Sequence, residues 1–381
     1  MERIYLDNNA TTPLDPAVRQ AMAPYLAERF GNPSSAHFFG ETARGAVERA
    51  RQQVAALLGS QSGRVTFTSG GTEANNLALW SAVAAYPERK HLISSQVEHD
   101  SVLQPLRFLR ERFGYEVDLL PVDSEGGLDL PALRRAIRQD TVLVSLIGAN
   151  NETGVIWPVA EIGAICRERE VLFHCDAVQM IGKISFDTEN VPVDYLAVAG
   201  HKLHGPKGAG TLWSHRAAPL QPLVIGSGQE GGIRSGTENV PGLVGFGQAC
   251  ELAVAALPEE EHHIRRLRDR LQEGIWAAIA DVRLNGGSMP RLPNTLNISF
   301  KGCSAAALIQ DLDERGVAVS AHAACHSGEA DASHVLTAMQ VPEEYRYGTL
   351  RISLSRFNTE AEIAYLLDIL PEVVAKSRRI R

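Results

Sequence analysis

The stretch VTFTSGGTE, residues 65–73, contains the pattern that decides the fold of this chain. Residues 65–68 are β-branched or aromatic, which favours a strand, and the run Ser-Gly-Gly at 69–71 interrupts that strand with a turn. Apolar residues then recur at helical spacing over residues 72–86. The stretch therefore predicts a strand that turns directly into a helix.

The same alternation of strand and helix continues on both sides of this stretch. The predicted helices cover residues 42–58, 72–86, 101–113, 130–137 and 159–168. The predicted strands cover residues 65–68, 92–93, 117–120, 142–147, 171–175 and 195–199. Apolar strands separated by helices indicate a mainly parallel sheet that is sandwiched by helices. We therefore expect an α/β fold that continues to about residue 257.

A second, smaller unit is predicted after this point, because Pro258 and the acidic run 259–261 interrupt the pattern. The elements predicted beyond them are helices over 260–280 and 359–376 and strands near 296–300, 317–320 and 350–353. These elements are typical of an α+β domain. We expect a large domain over residues 14–257 and a small domain made of residues 1–13 and 258–381.

The composition is that of an ordinary globular chain with an acidic balance. Of the 381 residues, 44% are hydrophobic, and 37 Lys and Arg stand against 45 Asp and Glu, which gives a net charge of −8. This balance argues against a nucleic acid or an anionic membrane as the partner. No run approaches the roughly 18 apolar residues that a membrane span requires, and no secretory signal is expected at the N-terminus.

The chain has five cysteines: Cys166, Cys175, Cys250, Cys303 and Cys325. Their number is odd and none are spaced as C-x-x-C, which argues against a disulfide framework and a zinc ribbon. Unpaired thiols favour a reducing compartment, so we expect a cytoplasmic location. All but Cys325 lie in or beside predicted helices and strands, where we expect them to pack as small apolar residues.

Candidate functional residues follow the predicted strands, and ligands of open parallel sheets bind at the carboxyl ends of the strands. The turn 69–71 opens a helix, whose first N–H groups favour an anion such as phosphate. Asp176 follows the strand at 171–175, and Lys202 follows the strand at 195–199. An amine that forms a Schiff base, a carboxylate that keeps a pyridinium protonated and a phosphate site are the groups that bind pyridoxal phosphate.

Each of these features also has a simpler interpretation. The turn at 69–71 is equally consistent with a tight strand-to-helix connection, and Asp176 with Lys202 is equally consistent with a buried salt bridge. His99, after another predicted strand, would stack on a cofactor ring or serve only the structure. The residues alone leave these alternatives open.

Ten motifs, taken in order along the chain, resemble those of the cysteine desulfurases in the class V aminotransferase superfamily. They are YLDNNATTP (5–13), GNPSS (31–35), TSGGTE (68–73), EH (98–99), ANNETG (149–154), DAVQ (176–179), GHK (200–202), GPKG (205–208), RSGTEN (234–239) and LRIS (350–353). The resemblance covers nearly the whole chain. It implies the fold-type I transferase architecture, pyridoxal 5'-phosphate as cofactor, L-cysteine as substrate and a homodimer.

The resemblance also implies a role for individual residues. Lys202 would bind the cofactor covalently, Asp176 would pair with its pyridine nitrogen, and Gln179 would pair with its ring hydroxyl. His99 would stack on the ring and act as acid and base. The other implied contacts are Gly71, Thr72 and His201 with the phosphate, Thr237 with the phosphate of the neighbouring subunit, Asn151 with the cofactor or the substrate carboxylate, and Arg351 with the substrate carboxylate.

Cys325 matches the nucleophile of this family. The surrounding stretch 320–330 is small, polar and glycine-containing, which favours a mobile loop at about residues 321–333 of the small domain. A thiolate is needed to attack sulfur, and protonated His322 and His326 would favour the thiolate. The resemblance implies that Cys325 receives the substrate sulfur as a persulfide, that L-alanine leaves, and that the sulfur passes to an acceptor such as an iron–sulfur scaffold protein.

The chain departs from the family pattern at two places. Ala199 stands where many members carry a Ser or Thr that binds the phosphate, and a lost hydrogen bond to a charged group is worth roughly 1.5–3 kcal/mol. The sequence around Cys325, Ala-Cys-His-Ser, resembles the selenocysteine lyase branch more than the desulfurase branch. L-Selenocysteine is therefore the alternative substrate.

Other functions are also consistent with parts of the sequence. Residues 226–231, GSGQEG, fit the G-x-G-x-x-G pattern of dinucleotide sites, but the glycines and proline that follow leave no room for the required helix. His322, Cys325, His326 and His334 would give a metal site of irregular spacing, and we expect no metal. A non-catalytic scaffold and a plain aminotransferase would share the fold, but neither requires both Lys202 and Cys325.

Overall fold

The computed structural model describes residues 3–321 and 333–379. Its helices are α1 (Pro16–Leu26), α2 (Phe38–Leu57), α3 (Gly71–Ala85), α4 (Asp100–Phe113), α5 (Leu130–Ala136), α6 (Val159–Glu168), α7 (Val240–Ala278), α8 (Ala305–Glu314), α9 (His334–Ala338), α10 (Glu343–Arg346) and α11 (Glu360–Arg379). Its strands are β1 (Ile4–Tyr5), β2 (Arg64–Thr68), β3 (His91–Ser95), β4 (Glu116–Leu120), β5 (Thr141–Ile147), β6 (Leu172–Asp176), β7 (Tyr195–Ala199), β8 (Gly210–Ser214), β9 (Val282–Leu284), β10 (Thr295–Phe300), β11 (Val317–Ala318) and β12 (Thr349–Ser353).

The large sheet has seven strands in the part of the chain that the structure describes, in the order β2-β8-β7-β6-β5-β3-β4. The neighbours β4, β3, β5, β6 and β7 pair in parallel, whereas β8 runs antiparallel to both β2 and β7. The α/β fold and the mainly parallel sheet are therefore confirmed. Strand β8 was not predicted, although Thr211 and Trp213 are residues that favour strands.

Helices cover both faces of this sheet and bury two apolar clusters against it. Phe173, Trp213 and Phe246 belong to one cluster, and Leu77 and Tyr195 to the other. Burying a side chain of this size contributes about 1.5–3 kcal/mol each relative to exposing it. The covered faces leave the carboxyl edge of the parallel strands as the place where polar side chains reach a cavity.

A smaller unit forms around a third apolar cluster and two short sheets. Strands β12, β10 and β9 pair antiparallel in that order, and β1 pairs in parallel with β11. The third cluster includes Leu6, Leu271, Phe300 and Val374, so it combines residues from the two ends of the chain with residues of α7. This packing agrees with an α+β unit that contains the N-terminal segment, while the domain boundaries stay a prediction.

Helix α7 corrects the prediction that a helix starts at residue 260 after a break at Pro258. The helix extends from Val240 to Ala278 with Pro258 inside it. Its first half packs in the large unit through residues such as Phe246, and its second half packs in the small unit through residues such as Leu271. Packing on both sides of the proline outweighs the interior-proline cost of about 3 kcal/mol.

This same helix is long and apolar enough, by length and composition alone, to cross a membrane. Its most hydrophobic window is 50% buried inside the protein. A helix that lies in a protein core passes the same test, so this is weak evidence for a membrane span. The expectation of no membrane partner stays a prediction.

Candidate active site

A cavity of about 270 Å³ lies at the carboxyl ends of the parallel strands, where the small unit meets the large sheet. It brings together residues that the sequence placed in separate motifs. The lining includes the predicted site residues Gly71, Thr72, His99, Asn151, Asp176, Gln179, His201, Lys202 and Arg351. Asn9, Ala10, Asn75, Ser101 and Ala199 also line it.

Asp176 ends strand β6 and is buried in the cavity wall. Asn75 Nδ2 donates to Asp176 Oδ2 at 2.7 Å, and the backbone N–H of Val178 donates to Asp176 Oδ1 at 3.1 Å. These donors stabilise the carboxylate and fix its direction. A carboxylate held in this way suits an acceptor for a pyridinium N–H.

Lys202 ends a short 3-10 turn, Gly200–Lys202, directly after strand β7. Its Nζ donates to the backbone oxygens of Asn9 at 2.5 Å and Ala10 at 2.8 Å. The N-terminal segment, which is distant in sequence, therefore sets the position of the amine. The Asp176–Lys202 salt bridge that the sequence left open stays a prediction.

His99 caps the start of α4 and also lines the cavity. Its Nδ1 accepts from the backbone N–H of Ser101 at 3.1 Å, so in the neutral ring the proton lies on Nε2. Burial lowers the pKa of His99, although the nearby Asp176 carboxylate opposes this effect. A neutral imidazole with a fixed tautomer suits a group that exchanges protons with a bound substrate.

The N-terminus of α3 forms the end of the cavity that suits an anion. A Cβ at Gly71 would lie 2.6 Å from Val178 Cγ2, so only glycine leaves this end open. Thr72 and His201 line the same cavity, and their polar side chains are candidates to replace the hydroxyl that Ala199 lacks. Burial lowers the pKa of His201 to about 4, with Lys202 and Lys207 adding to the shift, so its ring is neutral near pH 7.

Arg351 lies on β12, at the opposite wall, and its side chain is 1% exposed. Its Nη2 donates to Asp7 Oδ1 at 2.7 Å, and its Nη1 donates to the backbone oxygen of Asn151 at 3.2 Å. A guanidinium held by two acceptors presents its remaining N–H groups in a fixed direction, which suits a carboxylate ligand. This burial excludes a surface salt bridge as the role of Arg351.

Sequence reasoning assigned no role to several residues of the site. Asn9, Asn75 and Ser101 belong to the cavity lining, and Lys183 donates to Gln179 Oε1 at 2.6 Å. Asn9 belongs to the motif at residues 5–13, but only the fold shows that its backbone oxygen accepts a hydrogen bond from Lys202. No pattern in the sequence marked Asn75 as a site residue, because it is one of several polar residues on the predicted helix.

Glu98 belongs to the motif at residues 98–99, but no role was predicted for it. Its side chain is fully buried beside the site. Its Oε1 accepts from Ser95 Oγ at 2.7 Å and from the backbone N–H of Ile147 at 3.0 Å. Burial raises the pKa of Glu98 to about 8, and the Asp176 carboxylate adds to this shift. Glu98 is therefore protonated near pH 7.

The remaining predicted site residues are Thr237 and Cys325. Thr237 is exposed and does not line the cavity of its own chain, so its contact with a neighbouring subunit stays a prediction. Cys325 lies outside the described residues, as do His322 and His326. His334 is described, and its Nε2 lies 3.0 Å from the backbone oxygen of Glu98.

The other four cysteines are buried, as expected for packing residues. Burial raises the pKa of the Cys166, Cys175 and Cys250 thiols, which makes them poor nucleophiles. Over residues 3–321 and 333–379 no cluster of His, Cys, Asp and Glu is arranged to hold a metal ion. Residues 226–231 overlap the 3-10 turn Gln229–Gly232 and do not open an α-helix. The next α-helix starts at Val240, so these residues do not form a dinucleotide-binding motif.

The donor set of the cavity fits the cofactor that the resemblance implied. The helix start at Gly71 offers backbone N–H groups to a phosphate, Asp176 offers a carboxylate, and Lys202 offers an amine. Among the described residues, no partner is found for Asn75 Oδ1 or Arg351 Nε, although both atoms are buried in residues that line the cavity. Unpaired buried polar atoms at a cavity are consistent with a ligand that completes them.

Comparisons with known proteins agree with this fit. The family model for class-V aminotransferases matches residues 4–366. The chain is 46% identical to cysteine desulfurase 2 of Trichormus variabilis over 380 residues, which is 100% of this chain and 95% of that protein.

Solved structures give the same result. A NifS-like protein superposes with a TM-score of 0.91 at 39% identity, covering 98% of this chain and 100% of that one. A structure described as SspA in complex with cysteine superposes with a TM-score of 0.81 at 34% identity, covering 93% of this chain and 100% of that one.

Proposed function

The chain belongs to the class-V aminotransferase family, and from that premise we propose that it is a cysteine desulfurase. It uses pyridoxal 5'-phosphate to convert L-cysteine to L-alanine and passes the sulfur to Cys325 as a persulfide. The relatives reported above carry the name cysteine desulfurase, and one related structure is described with cysteine, which supports cysteine over selenocysteine as the substrate.

One observation carries the proposal. A single cavity combines an amine, a carboxylate and a buried guanidinium, which are Lys202, Asp176 and Arg351. The first two suit the cofactor, and the third suits the carboxylate of an amino acid. A non-catalytic scaffold would not need this combination.

The residues of the cavity act on the substrate in distinct ways. Arg351 binds the substrate carboxylate, and its contacts with Asp7 and Asn151 fix the direction of its free N–H groups. Lys202 holds the cofactor and then moves the proton of the substrate Cα, while the neutral His99 exchanges a proton at Nε2. When bound, pyridoxal phosphate withdraws electrons from Cα and so weakens the bonds of the substrate.

Sulfur transfer is assigned to Cys325. Its thiolate attacks the sulfur of the substrate, so that an S–S bond forms while the Cβ–S bond breaks. The electron pair of the broken bond stays with the carbon fragment, which takes up a proton and leaves as alanine. Burial raises the pKa of the Cys166, Cys175 and Cys250 thiols, which supports Cys325 and not these residues as the nucleophile.

The proposal is tested on the purified holoenzyme and on Cys325→Ala, with Cys250→Ala as the matched control. We expect the wild type and the control to show a visible cofactor band and to form alanine and a protein persulfide from L-cysteine. Cys325→Ala should keep the band and lose the persulfide. Absence of the band in the wild type, or normal alanine formation by Cys325→Ala, would contradict the proposal. A parallel assay with L-selenocysteine compares the two substrates.

We also propose a homodimer whose sites are shared between subunits. Support comes from the exposed Thr237 and from large apolar side chains on the surface, among them Ile225 at 84% and Phe38 at 74% exposure. Mixing inactive Lys202→Ala and Thr237→Ala chains should restore activity if Thr237 serves the partner's site. A cytoplasmic location and an iron–sulfur scaffold as the sulfur acceptor are part of the same proposal.

A further inference from the structure

We propose that Lys183 is a positioning residue of the cofactor site, which orients the side-chain amide of Gln179 and holds Asn9 against Lys202. None of the motif assignments gave Lys183 a role. The inference rests on the proposed function, because it concerns the residue that is expected to contact the ring hydroxyl of the cofactor.

Two hydrogen bonds fix the orientation of the Gln179 amide. Lys183 Nζ donates to Gln179 Oε1 at 2.6 Å, and Gln179 Nε2 donates to the backbone oxygen of Asn9 at 2.9 Å. A backbone oxygen only accepts, so the NH₂ group faces Asn9 and the amide oxygen faces Lys183. The NH₂ group keeps one hydrogen that is not used by Asn9, and Gln179 lines the cavity. Gln179 therefore offers a donor to the cavity and not an acceptor.

Lys183 is also linked to Lys202 through Asn9. Lys183 Nζ donates to Asn9 Oδ1 at 3.0 Å, and the backbone oxygen of Asn9 accepts from Lys202 Nζ. Asn9 Nδ2 donates to Thr295 Oγ1 at 2.9 Å and to the backbone oxygen of Asn151 at 3.1 Å. Asn9 is thus fixed from both sides of its amide, and Lys183 adds a second link between Asn9 and Gln179 beside their direct hydrogen bond.

The Lys183 amino group is hydrogen-bonded to two uncharged acceptors. Gln179 Oε1 and Asn9 Oδ1 belong to residues that are both buried. Burial lowers the pKa of Lys183 well below its ordinary value, and Lys202 and Arg351 add to this effect. Burying an amino group costs free energy unless hydrogen bonds compensate it, and the contacts with Gln179 and Asn9 provide that compensation.

The test uses the visible absorbance band of the holoenzyme and its pH midpoint. A donor to the ring oxygen of the cofactor stabilises negative charge there, so losing the donor should move the midpoint upward. We expect Lys183→Met and Gln179→Leu each to raise the midpoint by about one pH unit, since a hydrogen bond to a charged group is worth more than one pKa unit. The double variant should show the same midpoint as Gln179→Leu alone, because Lys183 acts through Gln179.

Matched measurements keep the outcomes separate. Lys301→Met, on the surface, should leave the midpoint unchanged, and thermal unfolding reports whether each variant folds. If Gln179→Leu shifts the midpoint while Lys183→Met does not, or if the two shifts add, the role of Lys183 is overturned and the proposed function stands. If the wild type lacks the band, the proposed function fails first.

Discussion

The two walls of the cavity are assembled over very different distances along the chain. One wall consists of Asp176 and Lys202, which follow the neighbouring strands β6 and β7 of a single sheet. The other wall depends on Arg351 and Asp7, whose hydrogen bond joins residues 344 positions apart. The first wall follows from strand order, whereas the second forms only when the two ends of the chain pair and Arg351 contacts Asn151 of the large unit.

The largest effect is expected on the sheet wall, at Lys202. Lys202→Ala removes the amine that attaches the cofactor and moves the substrate proton, so turnover should fall by at least about 10²–10⁴-fold. Alanine formation and the visible band, measured after removal of free cofactor, report the two losses. Lys301→Ala is the control and should keep both. A variant at Lys202 that retained the covalent band would contradict the assignment of this wall.

A smaller effect is expected on the distant wall, at Arg351. Arg351→Lys keeps the charge but loses the fork of N–H groups, so KM for L-cysteine should rise about ten- to hundredfold, the equivalent of one charged hydrogen bond. The visible band should not change. Arg356→Lys offers a control, because Arg356 is ion-paired with Asp15 and Glu260 and does not line the cavity. An unchanged KM in Arg351→Lys would remove this wall from substrate binding.

The effect expected at Glu98, behind the sheet wall, is on stability and not on turnover. Its pKa of about 8 in the folded protein exceeds the ordinary 4.5, so the stabilisation it gives is complete below about pH 4.5 and is lost as the pH rises to about 8. In the wild type, the free energy of unfolding should therefore decrease by roughly 1.4 kcal/mol per pH unit over this range. In Glu98→Gln this decrease should be absent. Denaturant unfolding at pH 5 to 8 measures the difference, with Glu88→Gln as an exposed control. Parallel pH profiles for Glu98→Gln and wild type would show that Glu98 is ionised in the folded protein.

The same contrast explains what the sequence could predict. Asp176 and Lys202 were predicted because each follows an apolar strand, and the strand ends of a parallel sheet meet at one edge. The sequence did not predict the ion pair of Arg351 with Asp7 or the contacts of Lys183. These contacts join segments that are far apart in the chain, and no local pattern marks them. Pro258 was misread for a related reason, since packing at both ends of α7 overrides the local preference of proline.

The pairing of β1 with β11 has a consequence for the synthesis of this protein. At about 5–20 residues per second, Val317 leaves the ribosome roughly 15–60 s after Tyr5, and only then does the first strand find its partner. Asn9 and Ala10, which hold the Lys202 amine, follow directly on that strand. The large sheet can form early, while the cofactor site is finished only when nearly the whole chain has been translated.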